Sequence, residues 1–292
     1  MYAQFLGNHV GLTFLVLVCG ALCGFVAILY SAARLTSLLQ RRAIPLVSTV
    51  STRYPKISEV VREGVKSRRY LGWYLVVGVI LSFVLLSAFS GVAELLHESR
   101  NLRDFDQLLA QSYRTHSTLF EVAFFRTITD LAGRGALYGV GVAVGLFLLV
   151  RKEFSLLVVW VSGLIGNGMI NAGLKAVFHR ARPTLQDPFL VEQNFSFPSG
   201  HAMSVIVIYG LVAYIFARVF SPTMARLAVT FTIVSAVAVG MSRLVLGVHY
   251  LSDVVGGWLI GFAWLAIVLT GAEFIRRFRA IGRADPVLEQ SP

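Results

Sequence analysis

Long apolar runs dominate the sequence, and a run of about 20 apolar residues is enough to cross the hydrocarbon core of a bilayer as one helix. Because no water is available there to pair with backbone N–H and C=O groups, such runs form helices or closed barrels. Of the residues, 56% are hydrophobic and only 14% are charged, whereas soluble domains carry roughly a quarter charged residues. The sequence therefore predicts an all-α, polytopic membrane helical bundle. Seven apolar runs can be delimited, at about residues 10–30, 70–93, 136–150, 154–177, 201–220, 227–241 and 251–270.

The basic residues between the first and second runs indicate how the chain crosses the membrane. Residues 34–69 carry nine Lys and Arg residues and only two acidic ones, and loops rich in Lys and Arg stay in the cytoplasm. No Lys or Arg precedes Arg34, which favours an uncleaved anchor with its N-terminus outside over a cleaved signal peptide. Seven spans then place the C-terminus in the cytoplasm. They place three connections together on the outer face, residues 94–134, 178–199 and 242–250.

The same pattern predicts four parts of the chain. Residues 1–33 form an N-terminal transmembrane anchor, 34–69 a basic cytoplasmic linker, 70–276 a six-helix membrane core and 277–292 a cytoplasmic tail. Apolar residues recur in the linker at helical spacing, so that an amphipathic helix on the anionic leaflet and a solvated linker both fit it. Residues 94–133 are too polar to span the membrane and predict short helices at the outer interface.

The net charge of +11 and the cysteine content bound the function classes. In a membrane protein, cytoplasmic loops and anion-binding residues explain a basic excess. No basic patch is interleaved with base-stacking aromatic residues, so that nucleic acid is not expected as a partner. Cys19 and Cys23, the only cysteines, lie in the first apolar run, where they predict neither a disulfide framework nor a metal site.

The first of three polar clusters, residues 175–183, follows the fourth apolar run. If the helix continues to Pro183, where a proline ends it, Lys175 and Arg182 lie about two turns apart at its outer end. Arg182 can bind phosphate oxygens through two N–H groups while Lys175 acts as a point charge, so the cluster is suited to a multiply charged anion. Anchoring of the helix end at the lipid headgroups is the alternative interpretation.

The second cluster, residues 198–201, begins the fifth apolar run. A helix N-terminus offers unpaired backbone N–H groups and a positive dipole end, which together bind anions. Ser199 is a suitable N-cap and can donate its hydroxyl to phosphate, and Gly200 allows a close backbone approach. His201, when protonated, can act as a general acid. The alternative is an ordinary capped helix with a histidine at the membrane interface.

The third cluster ends the outer connection at residues 242–253. His249 and Asp253 are spaced i and i+4, which predicts that one helical face carries both. A carboxylate that accepts a hydrogen bond from one imidazole nitrogen leaves the other nitrogen free as a nucleophile. Arg243 is placed to meet the same phosphate. A structural His–Asp pair at a membrane interface is the alternative.

These clusters resemble the signature of the type-2 phosphatidic acid phosphatase family, K-x6-R-P, P-S-G-H and S-R-x5-H-x3-D, at every signature position. The resemblance covers about residues 70–276 and implies the six-helix membrane core of that family, with the first span and the basic linker as additions. It also implies a phosphatase that needs no metal ion or other cofactor. Vanadium haloperoxidases share the signature, but they are soluble, and this chain is predicted to lie in the membrane.

The resemblance also implies a role for each matching residue. His249 would attack phosphorus and form a phosphohistidine, Asp253 would orient it, and His201 would protonate the leaving oxygen before water releases phosphate. The non-bridging oxygens would be held by Lys175, Arg182, Ser199, Gly200 and Arg243. Cations and amides that meet the charge of the transition state are what phosphoryl transfer requires.

Together these observations predict an integral-membrane lipid phosphate phosphatase of a bacterial inner membrane, with its site on the periplasmic or extracellular face. The expected substrates are polyprenyl diphosphate, phosphatidate or phosphatidylglycerol phosphate, and the expected partners are that lipid and the bilayer. A phosphotransferase that passes the phosphoryl group from His249 to another acceptor remains an alternative. A non-enzymatic lipid-binding membrane protein is a second alternative, although the intact His201, His249 and Asp253 argue against it.

Overall fold

A computed structural model describes residue 13, residues 55–183 and residues 194–284, with side chains described at 13, 75–183 and 194–277. The predicted N-terminal anchor, residues 1–33, lies outside these ranges apart from Thr13. Within them the chain is helical and contains no strand, so the all-α prediction is confirmed. The α-helices are α1 Pro55–Glu98, α2 Arg100–His116, α3 Leu119–Thr129, α4 Arg134–Val150, α5 Phe154–Phe178, α6 Gly200–Val219, α7 Pro222–Val245 and α8 Leu251–Ala284.

Six helical stretches of the described residues are long and apolar enough to cross a membrane, and they match the six predicted core spans. Their outward-facing side chains are apolar and exposed, as Val79, Phe83 and Val142 illustrate, and lipid tails are the solvent that suits such a surface. The prediction of a polytopic helical bundle is therefore confirmed. The stretches are Leu75–Glu98, Leu119–Val150, Phe154–Phe178, Gly200–Val219, Pro222–Val245 and Leu251–Arg277.

Two helix starts differ from the sequence-based expectation. Helix α1 begins at Pro55, within the range 34–69 that was predicted as a linker, and continues unbroken into the first core span. The third span includes α3 and a 3-10 turn before α4, whereas the sequence placed its start near residue 136. Charged residues interrupt the apolar run there, but Glu121 is used at the start of α3, where it forms a capping box with Thr118.

Helix α2 does not span and instead packs one face against the core. Its buried face carries Leu109, Ala110 and Tyr113, and among them the charged Asp106. Ser99 caps its N-terminus, and Arg103 Nη1 donates to the carbonyls of Leu96 and His97 at 2.8 Å, which ties α2 to the end of α1. After α1, residues 94–133 form short helices as predicted, but the prediction that they are too polar to span is wrong for α3, which belongs to the third span.

Helix α6 lies at the centre of the bundle, and glycines let its neighbours approach closely. A Cβ atom at Gly257 of α8 would lie 2.6 Å from the carbonyl oxygen of Ser199, and one at Gly163 of α5 would lie 2.3 Å from Leu211. Small residues at such positions allow membrane helices to pack backbone to backbone. Asn167 of α5 also donates to Ser204 of α6 at 2.9 Å. The close approach of α8 to α6 brings the second and third polar clusters together.

Candidate active site

The structure brings the three polar clusters together where α5 ends and where α6 and α8 begin. Arg182 Nη1 lies 3.1 Å from His249 Nε2, which joins the first cluster to the third. The backbone N–H of Ser199 donates to the carbonyl oxygen of Asp253 at 2.9 Å, which joins the second to the third. Residues that are up to 78 positions apart in the sequence therefore form one continuous site.

The first cluster does not extend the helix, contrary to the sequence-based expectation. Helix α5 ends at Phe178, and His179 adopts a left-handed conformation with φ 45° as the C-cap. The prediction that the helix persists to Pro183 is wrong, because the chain leaves the helical path at His179. The residue before a proline also avoids helical geometry, which keeps Arg182 outside the helix. This change of direction lets Arg182 reach His249.

Backbone carbonyls hold the two predicted phosphate-binding cations of this cluster. Lys175 Nζ donates to the carbonyl of Phe195 at 2.6 Å, and Arg182 Nη2 donates to the same oxygen at 3.2 Å. Arg182 also donates through Nε to the carbonyl of Asn194 at 2.6 Å and through Nη1 to that of Val248 at 2.7 Å. These carbonyl oxygens accept hydrogen bonds from both cations and carry no formal charge themselves.

The second cluster begins α6 and presents a buried hydroxyl. Ser199 occupies the N-cap position, as predicted, but its side chain makes no capping hydrogen bond. Its Oγ is buried and has no hydrogen-bond partner among the described residues. A buried hydroxyl without a partner is costly, and an anion at this helix end would satisfy it.

Gly200 and His201 form the first turn of α6 next to Ser199. A Cβ atom at Gly200 would lie 2.9 Å from Asn171 Oδ1 of α5, so that glycine also serves the packing of α5 against α6. That contact was not predicted, because it depends on how the helices pack. His201 is half-buried in the first turn of α6.

The third cluster places its histidine before a helix and its aspartate within it. Helix α8 begins at Leu251, so the prediction that His249 and Asp253 share one helical face is wrong. Gly247, with φ 63°, turns the chain after α7 and separates the two helices. Asp253 then reaches back, accepting the backbone N–H of Tyr250 at 2.8 Å, as carboxylates in a first helical turn commonly do.

The imidazole and the carboxylate nevertheless meet. His249 Nδ1 lies 3.3 Å from Asp253 Oδ2, and Ser196 Oγ donates to the same carboxylate oxygen. His249 is only 1% exposed, and burial lowers its pKa to about 4, although Asp253 opposes the shift. A neutral imidazole carries one N–H, and with that proton on Nδ1 facing Asp253, Nε2 holds the free lone pair.

Arg243 lies inside the protein at the end of α7, next to this histidine. It is 1% exposed, and its Nη1 donates to Thr129 Oγ1 of α3 at 2.7 Å. Its backbone carbonyl accepts the N–H groups of Val248 and His249. The charge of Arg243 contributes to the lowered pKa of His249. A predicted phosphate-binding residue is thus close to the predicted nucleophile.

Two charged residues of the site had no assigned role in the sequence analysis. Arg180 Nη1 lies 2.6 Å from Asp253 Oδ1, and Arg180 Nη2 lies 2.9 Å from Asp106 Oδ2. Asp106 is 1% exposed on α2. A carboxylate on the apolar face of an amphipathic helix needs a buried partner, and this pattern could have indicated Asp106. Nothing in the sequence names Arg180 as that partner.

The described side chains form no cluster of metal ligands. In the ranges 75–183 and 194–277, no three His, Cys, Asp or Glu side chains come together in a way that could hold a metal ion. The described site consists of cations, two histidines, hydroxyl groups and a helix N-terminus around two buried carboxylates. Such a set of groups can bind a phosphate and supply a nitrogen nucleophile.

Known proteins resemble the chain in sequence and in fold. The PAP2 superfamily model matches residues 156–277. Phosphatidylglycerophosphatase B of Bacillus subtilis is 34% identical over 140 residues, which cover 47% of this chain and 68% of the relative. Lipid A 1-phosphatase of Rhizobium johnstonii is 33% identical over 139 residues, which cover 43% of this chain and 52% of the relative.

A solved structure has a similar fold. The crystal structure of a transmembrane PAP2 type phosphatidylglycerolphosphate phosphatase from Bacillus subtilis has a TM-score of 0.61 and 27% sequence identity. The match covers 68% of this chain and 98% of that one. The predicted family resemblance and the predicted phosphatase activity are both confirmed by these relatives. The chain is therefore a multi-pass membrane protein of the PAP2 superfamily and belongs to its lipid phosphatases, which hydrolyse phosphoric esters.

Proposed function

We propose that the chain dephosphorylates a lipid phosphate, at the outer face of the membrane that it spans, through a phosphohistidine on His249. The observation that carries the proposal is the environment of this one side chain. Nδ1 of the buried imidazole faces Asp253, while Nε2 faces the guanidinium of Arg182 at 3.1 Å. A nitrogen lone pair directed toward a cation is in position to meet the phosphate that the cation binds.

The first chemical step forms a nitrogen–phosphorus bond. Arg182 Nη1 exchanges His249 Nε2 for a phosphate oxygen, which frees the lone pair of Nε2. That lone pair attacks phosphorus, the bond between phosphorus and the lipid oxygen breaks, and protonated His201 donates its proton to the leaving alcohol. Asp253 stabilises the positive charge that the imidazole acquires, as a carboxylate does when it orients a catalytic histidine.

The second step returns the enzyme to its starting state. A water molecule gives its proton to neutral His201, and its oxygen attacks phosphorus as the nitrogen–phosphorus bond breaks. Inorganic phosphate leaves, and His249 regains its neutral form. His201 therefore acts as acid in one step and as base in the next.

The phosphate oxygens are bound by groups of all three clusters in this proposal. Lys175, Arg182 and Arg243 supply positive charge, the buried Ser199 hydroxyl donates a hydrogen bond, and the backbone of Gly200 offers the N-terminus of α6. Because phosphoryl transfer asks a protein mainly for positioning and for stabilisation of charge, such a site supplies what the reaction needs. This binding set is proposed without a catalytic metal ion.

Phosphatidylglycerol phosphate is the substrate we propose first. The relative with 34% identity is named a phosphatidylglycerophosphatase, and the matching crystal structure is a phosphatidylglycerolphosphate phosphatase. The other relative is a lipid A 1-phosphatase, so the family site also acts on a different lipid phosphate. Both relatives are bacterial, which supports the proposal of a bacterial inner-membrane protein.

Phosphate release from a panel of lipids tests the proposal. We expect purified wild-type protein to release phosphate from phosphatidylglycerol phosphate faster than from phosphatidate, undecaprenyl diphosphate or a lipid A phosphate, with EDTA present. His249→Ala removes the nucleophile and should abolish release, while His97→Ala, which alters an exposed histidine at the end of α1, should retain wild-type activity.

Each other result has a definite meaning. Release from a different lipid would replace the proposed substrate but keep the mechanism. Activity retained in His249→Ala would exclude His249 as the nucleophile. Activity lost in EDTA and restored by a divalent ion would contradict the metal-free mechanism. A trapped phosphohistidine without release from any lipid would indicate a phosphotransferase that lacks its acceptor.

A further inference from the structure

Arg180 bridges two buried carboxylates on different helices, and only one of them contacts His249. We infer that Arg180, held by Asp106 of α2, is a positioning residue that fixes the orientation of Asp253 and, through it, of His249. This inference rests on the proposed function, because it assigns Arg180 a role in preparing the proposed nucleophile.

The guanidinium of Arg180 is held on several sides. Nη1 lies 2.6 Å from Asp253 Oδ1 and 2.7 Å from Ser252 Oγ, and Nη2 lies 2.9 Å from Asp106 Oδ2. The guanidinium carbon also lies 4.3 Å from the centre of the Tyr250 ring. The planar fork of an arginine fits two carboxylates at once, which a lysine cannot do with the same geometry.

The contacts of Asp253 divide between its two oxygens. Oδ1 accepts from Arg180, whereas Oδ2 faces His249 Nδ1 and accepts from Ser196 Oγ and the N–H of Tyr250. Rotation of the carboxylate would break contacts on both oxygens. Arg180 therefore fixes the plane of the carboxylate, so that one oxygen stays directed at the imidazole while the other is held by the guanidinium.

Charge and burial explain why Arg180 acts on Asp253 and not on the substrate. The side chains of Asp253 and Asp106 are 0% and 1% exposed, and both pair with Arg180. Two carboxylates within 3 Å more than balance one guanidinium, so the trio has no positive charge to offer a phosphate. Arg182, two residues later, donates instead to carbonyls and to His249.

Asp106 extends this arrangement to α2, the helix that does not span the membrane. Its Oδ1 accepts the backbone N–H of Ser252 at 3.2 Å, and its Oδ2 accepts from Ser252 Oγ as well as from Arg180. Asp106 therefore holds the first turn of α8 and the guanidinium together. Loss of its charge would leave Arg180 free to turn away from Asp253.

Steady-state kinetics of Arg180→Lys and Asp106→Asn test the inference. Both should lower kcat about 100-fold, because a small misplacement of a reacting group has that order of effect, while KM changes less than about threefold. Arg103→Gln is the matched control, since it loosens α2 from α1 without touching Asp253. It should keep kcat within about threefold of wild type.

A double-mutant cycle separates positioning from general structural support. If Arg180 acts through Asp253, Arg180→Lys should cost less than about threefold in a chain that already carries Asp253→Asn. An undiminished loss in that background would overturn the inference. So would wild-type kcat in Arg180→Lys, or an equal loss of kcat in Arg103→Gln and Asp106→Asn.

A milder variant covers the case in which a charge change prevents folding. Ser252→Ala removes one hydroxyl and leaves both carboxylates paired with Arg180, and it should lower kcat about 10-fold. Wild-type kcat in Ser252→Ala, when Asp106→Asn does not fold, would overturn the inference.

The same assay includes the wild type and His249→Ala. Activity in His249→Ala refutes the proposed function, whereas full activity in Arg180→Lys refutes only the positioning role.

Discussion

Arg180 and Arg182 are separated by a single residue, yet they have different surroundings. Both follow the end of α5 at Phe178, where the left-handed His179 turns the chain away from the helix. Arg180 meets the carboxylates of Asp106 and Asp253, while Arg182 meets backbone carbonyls and His249 Nε2. Two chemically identical side chains therefore make different contacts at this site: Arg180 pairs with two carboxylates, and Arg182 donates to backbone carbonyls and lies against His249.

The pH dependence of activity should report the buried state of His249. Burial lowers its pKa from 6.5 to about 4, with Asp253 opposing the shift and with Arg243 and Arg182 adding to it. Only the neutral imidazole has a lone pair on Nε2, so the nucleophile is lost as pH falls through its pKa in the folded protein. We expect the acidic limb of the kcat/KM profile, measured with a short-chain lipid phosphate, near pH 4.

Asp253→Asn provides the control for this measurement. It removes a group that raises the pKa of His249, so the acidic limb should move to still lower pH. kcat should fall about 10²- to 10⁴-fold, because the imidazole loses its orienting partner. An acidic limb near pH 6.5 in the wild type would contradict a buried neutral His249.

The same lowered pKa of His249 should reduce the free energy of unfolding as pH falls from 6.5 to about 4, since only the unfolded chain binds the proton there.

At the scale of the helices, the site is assembled from helix ends. Helix α5 ends at Phe178, α6 begins at Gly200, and α8 begins at Leu251. The spacing of the three clusters and the order of the apolar runs were sufficient to predict that they meet. The helix ends were not predictable, because a left-handed His179 and the Asp253 contact to the N–H of Tyr250 depend on tertiary contacts.

The contact of Arg180 with Asp106 could not be predicted from the sequence either, because it too depends on tertiary packing. A buried ion pair is specified by which two helices pack together, and Asp106 lies 74 positions before Arg180. The i, i+4 spacing of His249 and Asp253 correctly indicated a contact, although the geometry that produces it is a helix start and not a helix face. Local patterns therefore identified which residues meet, but not the backbone that joins them.

The close packing of α8 on α6 should be sensitive to one methyl group. Gly257→Ala places a Cβ atom 2.6 Å from the Ser199 carbonyl and 3.0 Å from Ala202 Cβ, and a backbone atom cannot yield as a flexible side chain can. We expect a loss of about 1–3 kcal/mol in the free energy of unfolding, as for other overpacked cores. Thermal unfolding in detergent measures the effect.

Gly168→Ala is the matched control for that substitution. It adds the same methyl group to a helix of the same bundle, but nothing lies within 4 Å of the new atom. It should leave stability unchanged or raise it slightly, because alanine favours the helix. Equal melting temperatures for Gly257→Ala and wild type would contradict the close packing of α6 and α8.

The whole molecule has two chemically different ends. The site lies where α6 begins, and at the other end of α6, about 30 Å away for a helix of 20 residues, Arg218 contacts Glu273 of α8. Arg276 and Arg277 bind the same carboxylate, so three cations surround one acidic group. An excess of basic residues at one end predicts that this end faces the cytoplasm and that the site faces outward.

Cysteine labelling from outside the cell tests this orientation. In a chain with Cys19 and Cys23 replaced by alanine, Gln107→Cys places a thiol on an exposed position of α2 beside Asp106. Thr223→Cys places one at the exposed start of α7, next to the basic end. We expect a membrane-impermeant maleimide to label the first thiol in intact cells and the second only after permeabilisation. The reverse pattern would place the site in the cytoplasm.

The hydrogen bond from Arg182 to His249 Nε2 bears on how a nucleophile can reside among phospholipids without attacking them. On the proposed mechanism, a substrate exposes the lone pair only by drawing the guanidinium to itself, and it does so in proportion to its negative charge. A phosphomonoester carries about −1.5 to −2 at neutral pH, whereas the phosphodiester headgroups of the surrounding bilayer carry one charge at most. The abundant lipids of the host membrane therefore leave the nucleophile covered, and the rarer, more highly charged ones uncover it.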